Sequence, residues 1–393
     1  MPSPQPCADV AVPDLGGPDS GATGAGAGPI DWDAAVRIGV KAAPTGPRLS
    51  GHTAKHAVDQ LRSFSRSAEL AVREVTLLGH ELPVLDGTVV DRPGWIRATS
   101  EGMRVLAQPM TDRLAEQFAT DPKRDRDAPG AAKFRVGHSS ASTPASSKST
   151  AAAAVPVGTI LGFLSGKVLG QYDPFSSVPG SSDPGRLLLV APNIVKVERE
   201  IEADPSDFRM WVCLHESTHR LQFTAVPWMR DYFRGLVAQF AAEQELDSSA
   251  LLRTMTNALK SRNHTPGLSW IEATQTPAQR EVFDKITAMM TLLEGHADYV
   301  MDAVGPQVVP SVAQIRKAFS QRRLKSKGPL DRLMRALLGM DLKMKQYVQG
   351  GAFVHAAVEQ VGMTEFNHIW DSPDTLPTRA ETTDPAAWVA RVL

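Results

Sequence analysis

The sequence has few cysteines, because Cys7 and Cys213 are the only two among 393 residues. Two cysteines cannot form a disulfide framework or a cysteine-rich zinc knuckle, and this scarcity is typical of proteins from a reducing compartment. The chain also lacks an excess of charge of one sign. Its 42 Lys and Arg oppose 43 Asp and Glu and leave a formal net charge of -1, which argues against broad binding to nucleic acids or to anionic membranes.

Uninterrupted apolar segments of membrane-spanning length are missing as well. The opening residues MPSPQPCADVAVPDLGG have neither the basic start nor the apolar stretch of a secretion signal. We therefore expect a cytoplasmic protein without a membrane partner. The sequence also has no Gly-rich phosphate loop between a strand and a helix, and no G-x-S-x-G elbow, so neither nucleotide binding nor serine-hydrolase chemistry is indicated.

Composition divides the chain into four predicted regions. Residues 1–30 are rich in Gly, Pro, Ala and Ser and are expected to be a disordered tail. Residues 31–123 have apolar residues at three- and four-residue steps, which predicts a helical N-terminal region. Small polar and charged residues over 124–156 predict a flexible insertion. Residues 157–393 form the region that carries the candidate chemistry.

Short apolar runs punctuated by Gly, Asp and Pro predict the strands of the chain. They are VGTILGFLSGKVLGQYDPF, from Val157, and GRLLLVAPNIVKVE, from Gly185. Helical patterns dominate from there to about residue 360, so the predicted fold class is mainly α with a small sheet, an α+β arrangement. The turn-rich C-terminus is expected to dock on the core through four apolar anchors: Trp370, Leu376, Trp388 and Val389.

One predicted helix contains polar residues that need an explanation. Asp204 can cap its start, Pro205 suits its first position, and Pro227 ends it soon after Thr224. The run HESTHRLQF, residues 215–223, falls on this helix among Trp, Val, Leu and Phe. Unpaired polar groups are costly to bury, so two histidines and a glutamate in this position indicate a bound ion.

The spacing within this run identifies the chemistry. His215 and His219 are four residues apart and project from the same face of the helix, close enough to bind one ion. This is the H-E-x-x-H arrangement, in which two imidazoles hold zinc and the glutamate activates a water molecule. The expected zinc ligands are therefore His215 and His219, and the expected general base is Glu216.

A second predicted helix, residues 280–305, supplies the candidate third ligand. Glu294, Asp298 and Asp302 fall at four-residue steps on one stripe of it, where like charges repel and need a cation or donors. A catalytic zinc site normally has three protein ligands. We expect Glu294 to be the third and Asp298 to orient a ligand histidine through its other ring nitrogen. The alternative is that both carboxylates pair with Arg or Lys; His296 is expected to be a surface or core histidine.

HESTHRLQF and LLEGHADYVMD resemble the actinobacterial zincin-like metallopeptidase family, often labelled zinc-dependent metalloproteases. The resemblance extends over nearly the whole chain after residue 30, through these further segments: DWDAAVRIG, RPGWIRAT, LGFLSGKVLGQYDPF, APNIVKVE, KMKQYVQGGAFV and WDSPDTLPTRAE. It implies a mostly helical zincin with a small sheet beside the H-E-x-x-H helix. It also implies that His215 and His219 bind zinc and that Glu216 is the general base.

The resemblance has one departure, which concerns the third ligand. Glu294 and Asp298 match the E-x-x-x-D part of the zincins that use a glutamate ligand. Glu294, however, follows His219 by 75 residues, which is farther than in thermolysin-like enzymes. The helices between them therefore belong to an insertion or to a different topology.

The function expected from these residues is hydrolysis of a peptide or protein substrate through a water molecule that zinc activates and Glu216 deprotonates. Two alternatives remain. One is a non-catalytic, zinc-stabilised binding protein with a fourth protein ligand; the other is a zinc hydrolase for a non-peptide amide or ester. Cys213 is considered as a fourth ligand but is expected to be a small buried hydrophobe.

Two further points stay open in the sequence, besides the oligomeric state. A strand within 159–191 could present its edge to an extended peptide. The sequence does not choose among four candidates for the group that stabilises an oxyanion: Tyr232, Tyr299, Tyr347 and His355. A tyrosine in an apolar helical face is usually a core residue.

Overall fold

A computed structural model describes residues 30–120, 147–176, 185–242, 276–325 and 340–393. The fold is mainly α-helical with a small sheet, as predicted. The α-helices are α1 (Trp32–Ala42), α2 (Gly51–Thr76), α3 (Arg92–Thr120), α4 (Ser147–Ser165), α5 (Ala191–Glu200), α6 (Pro205–Thr224), α7 (Met229–Ala242), α8 (Pro277–Ala303), α9 (Val312–Lys325), α10 (Met340–Phe366) and α11 (Pro385–Val392). Short 3-10 helices cover Asn367–Trp370, Pro373–Thr375 and Glu381–Thr383.

Three short strands form the sheet: β1 (Thr88–Val90), β2 (Gly170–Asp173) and β3 (Arg186–Val190). Their order is β1-β3-β2, with β1 parallel and β2 antiparallel to the central β3. The apolar side chains of β3 are buried on both faces, where Leu187 and Leu189 join the core that includes α6 and Leu188 and Val190 join the core with α3 and α4. Strand β2 is thus an edge strand of the described sheet.

The strand prediction is correct for β2 and β3 and wrong for the residues beside them. Residues 157–165, the first part of the run from Val157, belong to α4, because four alanines before them favour a helix and an apolar run of this length suits a buried helix as well as a strand. Gly158 lets α4 lie against α1, since a Cβ there would be 2.5 Å from the carbonyl oxygen of Ala35. Residues 191–200 form α5, whose first turn contains Pro192.

Two predicted low-complexity regions fall largely outside the described residues. The predicted disordered tail, 1–30, does so except for its last residue, and so does the predicted insertion up to residue 146. Residues 147–156, the last part of the predicted insertion, belong to α4. The predicted helical region 31–123 contains α1, α2 and α3, but it also supplies β1, which was not predicted.

Helix α6 is held against α2 by a buried ionic cluster. Arg220, at the end of α6 that follows the histidines, donates to the Glu69 carboxylate at 2.7 Å and to the backbone carbonyl of Asp86 at 3.0 Å. Glu69 also pairs with Arg73 of its own helix, and all three side chains are buried. A buried charge is tolerated only when it is paired and hydrogen-bonded, so this cluster fixes how α6 sits on α2.

Helix α8 packs on α6 on one side and on α10 on the other. It begins with a capping box, in which Thr276 and Gln279 satisfy each other's backbone N–H groups. Gly295 and Gly350 meet where α8 crosses α10, and a Cβ on either one would strike the backbone of the other helix. Because Gly295 directly follows Glu294, this close crossing fixes the part of α8 that carries Glu294.

The C-terminal segment docks on the core, as predicted. Trp370, Leu376 and Trp388 are buried in the cluster that includes Phe353, and Val389 is partly buried against it. None of the helices in the described ranges combines the length and apolar character needed to cross a bilayer.

Candidate metal centre

Helix α6 presents the H-E-x-x-H residues as the sequence predicts. Its N-cap is Asp204, whose side chain accepts a hydrogen bond from the backbone N–H of Asp207 at 3.0 Å. Pro205 is its first residue and Thr224 its last. Because the helix is buried on most sides, the turn that carries the histidines is held rigidly between α2, α8 and β2.

Three side chains converge at one point between α6 and α8. The Nε2 atoms of His215 and His219 lie 3.2 Å apart, and the Oε2 atom of Glu294 lies 3.6 Å from the first and 3.7 Å from the second. A point equidistant from these three atoms is about 2.0 Å from each, which is the usual length of zinc–nitrogen and zinc–oxygen bonds. The three residues together form a group that could hold a metal ion.

The exposure of this group leaves one side accessible. The His215 and His219 side chains are 19% and 16% exposed, whereas that of Glu294 is 9% exposed. Burial acts to lower the pKa of His219, but the hydrogen bond and the charge of Glu294 outweigh it and raise that pKa to about 9. The carboxylate therefore favours positive charge at this point, whether a proton or a metal ion supplies it.

Glu216 lies on the flank of the histidine pair, against strand β2. It is buried, and its contact with the sheet is at Gly170, the first residue of β2. A Cβ at position 170 would lie 2.5 Å from Cγ and 2.8 Å from Oε1 of Glu216. Only a glycine leaves room for the carboxylate here, a constraint that the sequence pattern did not reveal.

Asp298, the predicted orienting carboxylate, pairs with Arg316 of α9. Its Oδ1 accepts from Arg316 Nη1 at 3.0 Å, and its backbone carbonyl accepts from Nη2 at 2.7 Å. Arg316 also forms an ion pair with Asp302 at 2.7 Å. Arg316 therefore compensates two of the three carboxylates of the acidic stripe, Asp298 and Asp302, and the alternative of an Arg pair holds for Asp298.

The partner of the other His219 nitrogen is Gln222 rather than Asp298. Gln222 Oε1 lies 2.9 Å from His219 Nδ1, within the same helix. Gln222 Nε2 lies 3.1 Å from Nδ1 of His296, which is fully buried, so His296 is a core histidine and not a surface one. Burial lowers the pKa of His296 to about 3. The sequence signal for Gln222 is its position three residues after His219, on the same helical face.

The other residues considered in the sequence, as a fourth metal ligand or as a group that stabilises an oxyanion, have the following contacts. Cys213 is buried with its sulfur 3.9 Å from the carbonyl oxygen of Leu61, on the α2 side of the helix, and burial raises the pKa of its thiol; it is the small hydrophobe expected. Tyr232 packs edge-on against Trp228. Tyr299 and His355 contact each other with ring centroids 4.8 Å apart, whereas the side chain of Tyr347 lies outside the described side chains.

Comparison with known proteins places this arrangement in a family. A profile of the zincin-like metallopeptidase family matches residues 30–389. A crystal structure of a proposed hydrolase with a novel fold from Chloroflexus aurantiacus is similar, with 28% sequence identity, a TM-score of 0.61, and coverage of 92% of this chain and 98% of that chain. None of the curated proteins compared with the chain matches it. Zincins hold a metal, usually zinc. The chain belongs to the zincin-like metallopeptidase family, and so to the hydrolases.

Proposed function

We propose that the chain is a zinc-dependent peptidase, with His215, His219 and Glu294 as the metal ligands and Glu216 as the general base. The observation that carries this proposal is the convergence of two imidazole nitrogens and one carboxylate oxygen around a point about 2.0 Å from each. When bound there, zinc supplies the Lewis acidity that activates a water molecule and polarises a carbonyl group.

Glu216 carries the proton transfer in this proposal. Its carboxylate is held between α6 and the backbone of Gly170, next to the histidines on the same helix. The carboxylate takes a proton from the attacking water and passes it to the nitrogen of the leaving amine. The buried position of Glu216, at 6% exposure, keeps competing water away from that proton.

The edge strand β2 supports an extended peptide as the substrate. Val190 N donates to Leu169 O at 2.8 Å, and Gln171 lies opposite Leu188 in the register. Backbone groups alternate in direction along an antiparallel pair, so the N–H and C=O of Gly170 point away from β3. A peptide strand added at this edge would run past Glu216, which favours peptide over small amide or ester substrates.

The ligand count favours catalysis over a purely structural zinc. The group found among the described residues contains three side chains, and structural zinc sites are generally closed by four. The partial exposure of both histidine rings leaves a side from which a substrate could approach. We expect a peptide or protein substrate as the partner, and the formal net charge of -1 argues against a nucleic acid.

The Glu216→Gln variant tests the general base. We expect it to bind about one zinc per chain as the wild type does, by elemental analysis, while cleavage of a peptide library falls by at least about 100-fold. The matched control is Glu359→Gln, an exposed glutamate on α10, which should leave both quantities unchanged. Wild-type turnover in Glu216→Gln would exclude Glu216 as the base. A wild-type chain that cleaves amides or esters but no peptides would favour the non-peptide alternative.

A further inference from the structure

Gln222 lies between the two helices that carry the proposed ligands. Its side chain is fully buried and makes three hydrogen-bond contacts. Oε1 is 2.9 Å from His219 Nδ1, and Nε2 is 2.9 Å from the carbonyl oxygen of Leu293 and 3.1 Å from His296 Nδ1. A side-chain amide has two N–H hydrogens and one carbonyl oxygen, so both hydrogens and the oxygen are in use.

The contact with Leu293 determines the orientation of this amide. A backbone carbonyl oxygen only accepts hydrogen bonds, so the atom of Gln222 that faces Leu293 must be the nitrogen. The oxygen then faces His219 and also only accepts, which makes Nδ1 of His219 the donor. In neutral His219 the lone pair is therefore on Nε2, the atom that lies 3.7 Å from Glu294 Oε2.

We infer that Gln222 is a positioning residue of the metal site, which holds His219 in its metal-binding tautomer and ties α6 to α8 beside Glu294. This inference rests on the proposed metal site. The bond to Leu293 acts on the residue that directly precedes Glu294, so one side chain restrains two of the three ligands. An amide does so without adding negative charge, whereas a carboxylate would make His219 more basic.

His296 restrains Gln222 from the far side. Its Nδ1 faces the second hydrogen of the amide, and its ring packs against Phe366 and Trp370, with centroids 6.0 and 5.3 Å away. A flip of the amide would place its oxygen against the carbonyl oxygen of Leu293, which also only accepts hydrogen bonds. The carboxamide is consequently fixed by contacts that belong to the core.

The test compares zinc affinity and the protonation of His219 Nδ1 in matched variants. Gln222→Leu removes both the acceptor for His219 and the donor for Leu293, whereas Gln222→Glu loses the donor but keeps an oxygen that can accept from Nδ1. The control is Thr218→Val, on the same helix and equally buried, whose hydroxyl bonds only to the Leu214 carbonyl oxygen at 2.8 Å among the contacts described. The readouts are the zinc dissociation constant, by chelator competition, and the exchangeable Nδ1 proton of His219 in the zinc-loaded protein, by NMR.

We expect Gln222→Leu to weaken zinc binding by about 10- to 100-fold and to speed exchange of the His219 Nδ1 proton. Gln222→Glu should bind zinc at least about tenfold more tightly than Gln222→Leu, and Thr218→Val should behave as the wild type. Wild-type affinity in a folded Gln222→Leu would overturn the inference and leave the metal site standing.

A second comparison covers the case in which Gln222→Leu does not fold. Gln222→Asn remains polar but is one methylene too short to reach His219, so it should bind zinc about tenfold more weakly than Gln222→Glu. Equal affinities of these two variants would overturn the inference. A wild-type chain that binds no divalent ion would instead overturn the proposed function, and this inference with it.

Discussion

The carboxylate of Glu216 lies against the backbone of Gly170, so a single strand residue limits where the proposed general base can be. The restriction comes from volume rather than from backbone conformation, because Gly170 sits in regular strand β2. General bases act only within hydrogen-bond reach of the proton that they remove. The contact between α6 and the sheet is thus also a determinant of the geometry of the proposed reaction.

Gly170→Ala should displace Glu216 without contacting the proposed metal ligands. The added Cβ would lie 2.5 Å from Cγ of Glu216, so we expect turnover to fall by about 100-fold and unfolding free energy to fall by about 1–3 kcal/mol. Zinc affinity should stay close to that of the wild type. The control is Gly235→Ala on α7, where a Cβ would meet no atom within 4 Å. Normal turnover in Gly170→Ala would disprove the steric restriction.

At the scale of elements, buried ion pairs determine the position of α6. Besides the cluster with Glu69, Arg209 near the start of the helix pairs with Glu198 of α5 at 2.6 Å and donates to Gln60 of α2 at 2.6 Å. The histidines lie between these two anchored ends. Buried pairs contribute little net free energy, but removing one partner leaves an uncompensated charge, so the pairs determine position more than stability.

Replacing Glu69 should show this asymmetry. Glu69→Gln leaves Arg73 and Arg220 buried without their common carboxylate, and we expect a loss of about 3–5 kcal/mol in the free energy of unfolding, measured by denaturant titration. The comparison on the same helix is Asp59→Asn, which breaks the exposed pair with Lys55. That variant should lose no measurable stability, because exposed ion pairs contribute little. Similar losses in both variants would contradict the proposed role of the buried cluster.

At the scale of the whole molecule, the sequence predicts those features of the fold and the site that depend on the spacing of residues within one helix. His215 and His219 are one helical turn apart, so their common face follows from the helix itself. The caps at Asp204 and Pro205 predict where that helix begins, and the carboxylate stripe that includes Glu294 predicts which helix faces it. The structure brings His215, His219 and Glu294 together as expected.

What the sequence does not predict depends on contacts between distant segments. Residues 157–165 are a short apolar run that suits a strand or a buried helix, and they pack as a helix where Gly158 lies against α1. Strand β1 has three residues and forms by pairing with β3. Gln222 contacts Leu293 and His296 across more than 70 positions, so its link between α6 and α8 appears only in three dimensions.

The most direct test of the account is the ligand set of bound zinc. X-ray absorption spectra of the zinc-loaded wild type should show one zinc with two imidazole nitrogens and carboxylate oxygen, and Glu294→Gln should weaken zinc binding by at least about 100-fold, because a direct ligand counts for more than its supporting partners. Glu359→Gln serves as the control with unchanged affinity. Zinc held by four protein ligands, or bound equally well by Glu294→Gln, would contradict the account.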